Sequence, residues 1–266
     1  MNPLVSVVIP AYNASKTIVQ CLESVRTQTY KNLEVHVVND GSVDDTLVIL
    51  EHYAAAHKDF NLKVYSIDNS GPALARNYAI ARSKGEYVAF LDSDDQWACT
   101  KIEKQVCCFM EHPELVLLGC RYSVGIKSDE RSSSDIIRIS KRQLLLKNYF
   151  LTPCAIVKSS VLNHFHFELG KNYSEDYLLW LKICCNNHQC ALLNEILTYL
   201  CDKPTYGASG LSAKLWLMEK GELWNYRQLW KEHLISWSEY IGISVFSFFK
   251  YVSRVLITLT RHQKHI

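Results

Sequence analysis

The sequence predicts an α/β fold: a mostly parallel central sheet flanked by helices, followed by a helical C-terminal tail. Three observations predict it. Four short apolar runs alternate with amphipathic stretches over residues 4–91. Acidic residues, Asp40, Asp68 and Asp92, follow the second, third and fourth runs. From residue 213 onward the pattern turns helical and strongly apolar.

The elements follow in order. Residues 4–9 form a short apolar run ended by Pro10, which reads as a buried strand. Ser15 is placed to cap a helix reaching Arg26, with Ile18, Leu22 and Val25 on one face. Residues 33–38 form a second strand, stopped by Asn39-Asp40-Gly41-Ser42, and the next helix turns Leu47, Leu50 and Ala54 inward. Residues 62–67 are a third strand, Gly71-Pro72 opens a helix to Arg82, and residues 87–91 are a fourth strand. This alternation implies a parallel sheet with helices on both faces. Ligands of such sheets bind beyond the carboxyl ends of the strands, where Asp40, Asp68 and Asp92 fall.

The second half is less regular. Residues 128–135 read as a polar loop and 154–157 as a strand. Ser174 is placed to cap a helix through Cys185, and residues 192–200 resemble strand material. Residues 202–212, rich in Gly, Ser and Pro, read as a mobile loop.

Composition sets the limits. At 266 residues, 48% apolar and 21% charged, the chain can build a sizeable core. A net charge of +2 argues neither for nor against nucleic acid, and no nucleic-acid partner is expected. The 10 cysteines include no Cys-x-x-Cys and read as reduced, buried thiols. Residues 1–9 lack a signal-peptide pattern, so the expected compartment is the cytoplasm.

Three carboxylates in Asp92-Ser93-Asp94-Asp95 directly follow the fourth strand. Crowded carboxylates repel, and a divalent cation on oxygen ligands would relieve the repulsion. Such an ion would also stabilise a departing diphosphate. An isolated motif of this kind is more often a turn with capping aspartates. Its place at a strand's carboxyl end favours a site.

Several ordered blocks carry a family resemblance. They are Val7-Val8-Ile9-Pro10-Ala11-Tyr12-Asn13, Gln28-Thr29-Tyr30, and Val37-Val38-Asn39-Asp40-Gly41-Ser42 with Asp44 and Thr46. Asn69-Ser70-Gly71, Ala75-Arg76-Asn77 and the run from Gly85 to Asp95 complete the set. Together they resemble the family 2 glycosyltransferases. The resemblance is close over roughly the first 110 residues and looser to about residue 212. It implies a GT-A fold with a Rossmann-like nucleotide-binding half. Residues 1–212 would form the catalytic domain, 1–110 the nucleotide-sugar half and 111–212 the acceptor half, with 213–266 an amphipathic helical region.

The resemblance also implies roles. Pro10, Ala11 and Tyr12 would line the nucleotide, and Asp40 would meet the base. Arg76 would meet the nucleotide or diphosphate, Asp92 the ribose, and Asp94, with Asp95 possible as a second ligand, the metal, Mn2+ or Mg2+. Locally these same residues read as a strand-ending turn, a helix cap and an exposed helix arginine.

Ser174-Glu175-Asp176-Tyr177-Leu178-Leu179-Trp180 is the second motif. Alone it reads as an ordinary helix start, with acids favoured in the first turn. The resemblance makes Asp176 the general base, with Glu175 orienting the acceptor or the base. A single in-line displacement would then invert the anomeric centre. Trp180 reads as core. Residues 202–212 resemble the segment that closes over the donor phosphates, but the metal-binding histidine of many relatives is missing there. His164 and His166 read as structural or exposed.

The tail carries Trp216, Trp224, Trp230 and Trp237, then an almost wholly apolar stretch over 240–260. Lys250, Arg254 and Arg261 share a helical face with Ser244 and Ser247, an amphipathic pattern suited to a membrane surface. Lys250 in mid-stretch argues against a spanning helix. Packing on the catalytic domain or a partner is the other reading.

The expected function is a metal-dependent, inverting hexosyltransferase. It would move glucose or galactose from a UDP-sugar to an undecaprenyl-diphosphate-linked sugar in bacterial O-antigen synthesis, peripheral on the inner face of the cell membrane. The alternatives are a non-catalytic nucleotide-sugar-binding module and a transferase with a non-lipid acceptor. A nucleotidyltransferase would want a Gly-rich loop after the first strand, and Pro10-Ala11-Tyr12-Asn13 is not one.

Overall fold

A computed structural model describes residues 2–125, 135–171, 173–201 and 214–262. The first half is β1 (Val5–Ala11), α1 (Ile18–Arg26), β2 (Leu33–Asp40), α2 (Thr46–Ala56), β3 (Leu62–Ile67), α3 (Pro72–Ile80) and β4 (Tyr87–Phe90). β3, β2, β1 and β4 lie side by side and parallel, as the alternation predicts. Within β1, Val5, Val7 and Ile9 pack on one face while Val8 packs on the other, the period-2 alternation of a strand covered on both sides.

Two local expectations shift. β1 continues through Pro10 to Ala11, pairing with Val38 and Asn39 of β2. The proline is tolerated there because β4 pairs no further than Val8. α1 begins after Thr17, not at Ser15, whose amide instead donates to Asp44 Oδ2 at 3.1 Å.

The second half extends the sheet with antiparallel pairs and one further parallel pair. β5 (Asp95–Trp97), α4 (Lys101–Glu111), β6 (Leu115–Val124) and β7 (Ile136–Ile139) come first. They are followed by α5 (Lys141–Leu146), a 3-10 turn (Thr152–Cys154), β8 (Ile156–Lys158) and α6 (Ser159–Leu162). α7 (Glu175–Cys185) and β9 (Gln189–Leu200) then complete the sheet layer. The strand order is β3-β2-β1-β4-β8-β6-β9-β5, with β7 paired to β9. α4, β6 and β7 are not among the elements expected from sequence. No disulfide joins two cysteines among the described residues. Cys99 and Cys107 are exposed, against the expectation of buried thiols: Cys99 lies before α4, and α4 turns Cys108 inward and Cys107 outward.

α8 (Leu215–Lys231) and α9 (Trp237–His262) close the described chain. Tyr226, Leu229 and Ile243 join the core cluster that holds Trp180 and Phe90. The charged face of α9 points inward. Lys250 and Arg254 each lie 3.4 Å from Glu222, and Ser247 donates to the same carboxylate at 3.2 Å. The Arg261 side chain lies outside the described residues. The outward face of α9 carries Val245, Phe246, Phe248, Phe249, Leu256 and Ile257.

Candidate active site

A cavity of about 750 Å3 opens at the carboxyl ends of the parallel strands. Pro10, Ala11, Tyr12, Asp40, Arg76, Asp92 and Asp94 all border it. Asp68 is exposed and does not. Asp40 ends β2 with both carboxylate oxygens occupied: Oδ1 accepts from the Ser70 amide at 2.8 Å and Oδ2 from the Gly71 amide at 2.9 Å. It thereby fixes the turn that opens α3. Gly41 allows this closeness; its φ is +66°, and a Cβ there would meet the Asn69 amide nitrogen at 2.7 Å. Asp44, on the same wall, accepts from the Ser15 and Thr46 amides and the Thr46 hydroxyl. The Thr46 hydroxyl bond leads the effects that hold its pKa down at about 2.

Arg76 connects the two motifs. Its guanidinium donates to Asp92 Oδ1 at 2.8 Å and to Glu175 Oε1 at 3.1 Å, and it lies 5.2 Å from the centre of the Phe167 ring. Burial works against its charge, yet Asp92 and Glu175 hold its pKa above the ordinary value. This arginine is 5% exposed, which contradicts its local reading as an exposed helix residue.

The carboxylates of Asp92, Asp94 and Asp95 offer oxygens within 4.8 Å of one another. Asp95 is fully buried at the start of β5. Beneath the cluster, Cys21 Sγ donates to the Asp92 carbonyl at 3.5 Å. Burial and the charges of Asp95, Asp92 and Asp94 push its thiol well up. Three hard oxygen donors in a field this negative fit Mn2+ or Mg2+.

Asp176 lies beside Glu175 in the first turn of α7. Its Oδ2 accepts from the Thr152 hydroxyl at 3.1 Å and its Oδ1 from the Tyr177 amide at 2.7 Å. Burial, then the Glu175 charge, raises its pKa to about 6 against the opposing pull of Arg76. Trp180 is fully buried against Phe90 and Phe167, a core residue as expected. His164 and His166 are both exposed.

Ser174 occupies the cap position of α7, but its side chain makes no cap bond and its φ is +56°. This left-handed backbone is held from α8: fully buried Asn225 donates from Nδ2 to the Ser174 carbonyl at 2.9 Å. Thr152 and Asn225 therefore position the Glu175-Asp176 pair. Neither belongs to a sequence motif, and no local signal marks them. The lid expected over residues 202–212 lies outside the described residues.

Comparisons with known proteins bear on this geometry. The family model described as glycosyl transferase family 2 matches residues 6–174. Two Escherichia coli proteins named UDP-Glc:alpha-D-GlcNAc-diphosphoundecaprenol beta-1,3-glucosyltransferase are similar. WfaP is 32% identical over 74% of this chain and 76% of its own length. WfgD is 30% identical over 79% and 80%. The putative teichuronic acid biosynthesis glycosyltransferase TuaG of Bacillus subtilis is 46% identical, over 41% of this chain and only 43% of its own length. Among solved structures, S. aureus TarS in complex with UDP-GlcNAc superposes with a TM-score of 0.71 at 25% identity, covering 91% of this chain and 70% of TarS.

Proposed function

The chain belongs to glycosyl transferase family 2, and we propose that it transfers glucose or galactose from a UDP-sugar to a lipid-linked sugar, inverting the anomeric carbon. The observation that carries this reading is the Arg76 bridge, which ties the donor-side acid Asp92 to the Glu175-Asp176 pair. WfaP and WfgD support the choice of donor and acceptor, because both are named for glucosyl transfer from UDP-Glc to a GlcNAc-diphosphoundecaprenol.

On this reading Pro10, Ala11, Tyr12 and Asp40 line the nucleotide, while Arg76 and Asp92 orient the ribose and diphosphate. Asp94 and Asp95, with Asp92 beside them, would hold Mn2+ or Mg2+, which supplies charge neutralisation of the departing diphosphate. Asp176 accepts the proton of the acceptor hydroxyl as that oxygen bonds to the anomeric carbon. The bond from that carbon to the diphosphate oxygen breaks, and its electron pair leaves with UDP. A carboxylate with a pKa of about 6 is ionised at neutral pH and is a stronger base than an ordinary aspartate. Arg76 holds Glu175, so the first turn of α7 cannot rotate away from the donor.

A lipid-linked acceptor requires access to a membrane. Trp237–Thr258 is long and apolar enough to cross one by length and composition, and little of it is buried. Its two cations, Lys250 and Arg254, face Glu219 and Glu222. We place the outward apolar face of α9 against the cytoplasmic leaflet, keeping peripheral attachment but exchanging the basic stripe for an apolar contact.

The experiment is a panel of UDP-sugars offered with a GlcNAc-diphosphate-prenyl acceptor, with and without EDTA. Transfer from one UDP-hexose that EDTA abolishes is expected. Tight UDP binding without transfer from any donor would contradict the reading and favour a nucleotide-sugar-binding module.

A further inference from the structure

A second hollow, of about 390 Å3, lies between residues 168–171 with Tyr173 and the first half of α8. Lys171, Tyr173, Lys220 and Trp224 line it, with Glu168 at its edge. We infer that this hollow is the subsite for the acceptor's diphosphate, with Lys171 and Lys220 as its cations and Trp224 as its wall. The inference rests on the lipid-linked acceptor proposed above.

The hollow is fixed relative to the base. Lys171 Nζ bonds the Asn225 side-chain oxygen and the Gly221 carbonyl, and lies 4.3 Å from the centre of the Trp224 ring. The same Asn225 amide holds the Ser174 carbonyl. One buried side chain thus sets both the cation and the residue that precedes the catalytic pair. Gly221 makes the seam tight, since a Cβ there would meet the Tyr173 carbonyl oxygen at 2.8 Å.

The charge balance suits a dianion. Glu168 at the edge faces Lys182 at 3.6 Å, and the two lining lysines outnumber it in the hollow. Burial depresses the Lys171 pKa to about 8, against the raising pull of Glu175, Asp176 and Glu168; the amine stays largely charged at neutral pH, and a phosphate beside it would raise its pKa again.

The order of surfaces matches the order of groups in such an acceptor. The Glu175-Asp176 pair, where the sugar hydroxyl would react, adjoins the hollow through Tyr173 and Ser174. Beyond it, Lys220 lies 5.5 Å from the Trp216 ring, and Trp216 lies 5.4 Å from Tyr251 on α9. From there the outward apolar face of α9 continues. Sugar, diphosphate and prenyl chain would each meet the chemistry that suits it.

The test uses the full chain and two acceptors with the same sugar and prenyl chain, one joined through a diphosphate and one as a plain glycoside. Lys171→Gln and Lys220→Gln should each raise KM for the diphosphate acceptor roughly tenfold, the loss of one charge-assisted contact. For Lys220→Gln, KM for the glycoside and for the UDP-sugar should stay unchanged, and Lys220→Arg should restore the wild-type value. Lys220 is exposed, so its variant keeps the test valid even if Lys171→Gln misfolds. Equal shifts on both acceptors, or normal transfer to the diphosphate acceptor with neither KM shifted, would overturn the subsite alone. Failure of the wild type to use any diphosphate acceptor would overturn the proposed function and the subsite together.

Discussion

Arg76 and Glu175 are 99 positions apart in the chain, and their side chains meet at 3.1 Å. The contact joins the helix behind the donor cavity to the helix that bears the proposed base. Replacing Arg76 with Met would leave two carboxylates facing each other without their shared cation. A loss of about 3 kcal/mol in stability is expected, as for other broken buried pairs, together with weaker UDP binding. Urea unfolding and calorimetric titration with UDP measure both; an unchanged unfolding midpoint would contradict the bridge.

Asp176→Asn should lower turnover by roughly 10²–10⁴-fold, the usual worth of a general base, while UDP binding survives. The raised pKa adds a stability effect of opposite sign. A carboxyl whose pKa is higher folded than unfolded stabilises the fold below its ordinary pKa, and that contribution is lost as pH rises through about 6. The Asn variant should therefore be at least as stable as the parent at pH 8. For the parent, kcat should fall as pH drops through about 6, and a profile flat down to pH 4 would contradict the assignment.

Asp94→Asn should remove the metal dependence of UDP binding. Titrations with Mn2+, with Mg2+ and with EDTA should differ for the parent and coincide for the variant. Coincidence in the parent as well would exclude a metal role for the cluster.

Glu34 supplies a prediction that concerns only the fold. Burial alone would raise its pKa, but bonds from the Ser6 hydroxyl, the Lys84 amide and Lys63 bring it from 4.5 down to about 2. Its contribution is present above the ordinary carboxyl pKa and fades as pH falls towards about 2. Glu34→Gln should lower Tm clearly at pH 7, and the difference should shrink steadily below pH 4. A difference independent of pH would show that volume, not charge, matters there.

Phe249→Glu, on the outward face of α9, should move the protein from the vesicle-bound to the free fraction in flotation with anionic vesicles, without changing Tm. This substitution tests attachment more cleanly than truncation after Ser212, because α8 contributes buried Tyr226, Leu229 and Asn225. Unchanged flotation would count against the apolar face.

The first half of the fold was legible because its signals are local. The apolar run of β1 and the break at Asn39-Asp40-Gly41 need no distant partner to be read. The second half depends on pairing across long separations: β9 joins β6 in parallel but β5 and β7 antiparallel, and no window of sequence shows that. The candidate site divides in the same way. Asp92, Asp94 and Asp176 stand in motifs, whereas Thr152 and Asn225 act only through contacts with Asp176 and Ser174. Helical spacing placed Lys250 and Arg254 on one face of α9. It could not say that the face turns inward, because that depends on Glu222 of a different helix.

The central claim is inverting transfer by Asp176 across the Arg76 bridge. The most direct test is the anomeric configuration of the product formed from UDP-glucose and UDP-galactose with a GlcNAc-diphosphate-prenyl acceptor, read from the proton coupling of the new linkage by NMR. The account predicts a β-linked disaccharide from one of the two donors, absent with Asp176→Asn although that variant still binds UDP. An α-linked product, or undiminished product from Asp176→Asn, would contradict it.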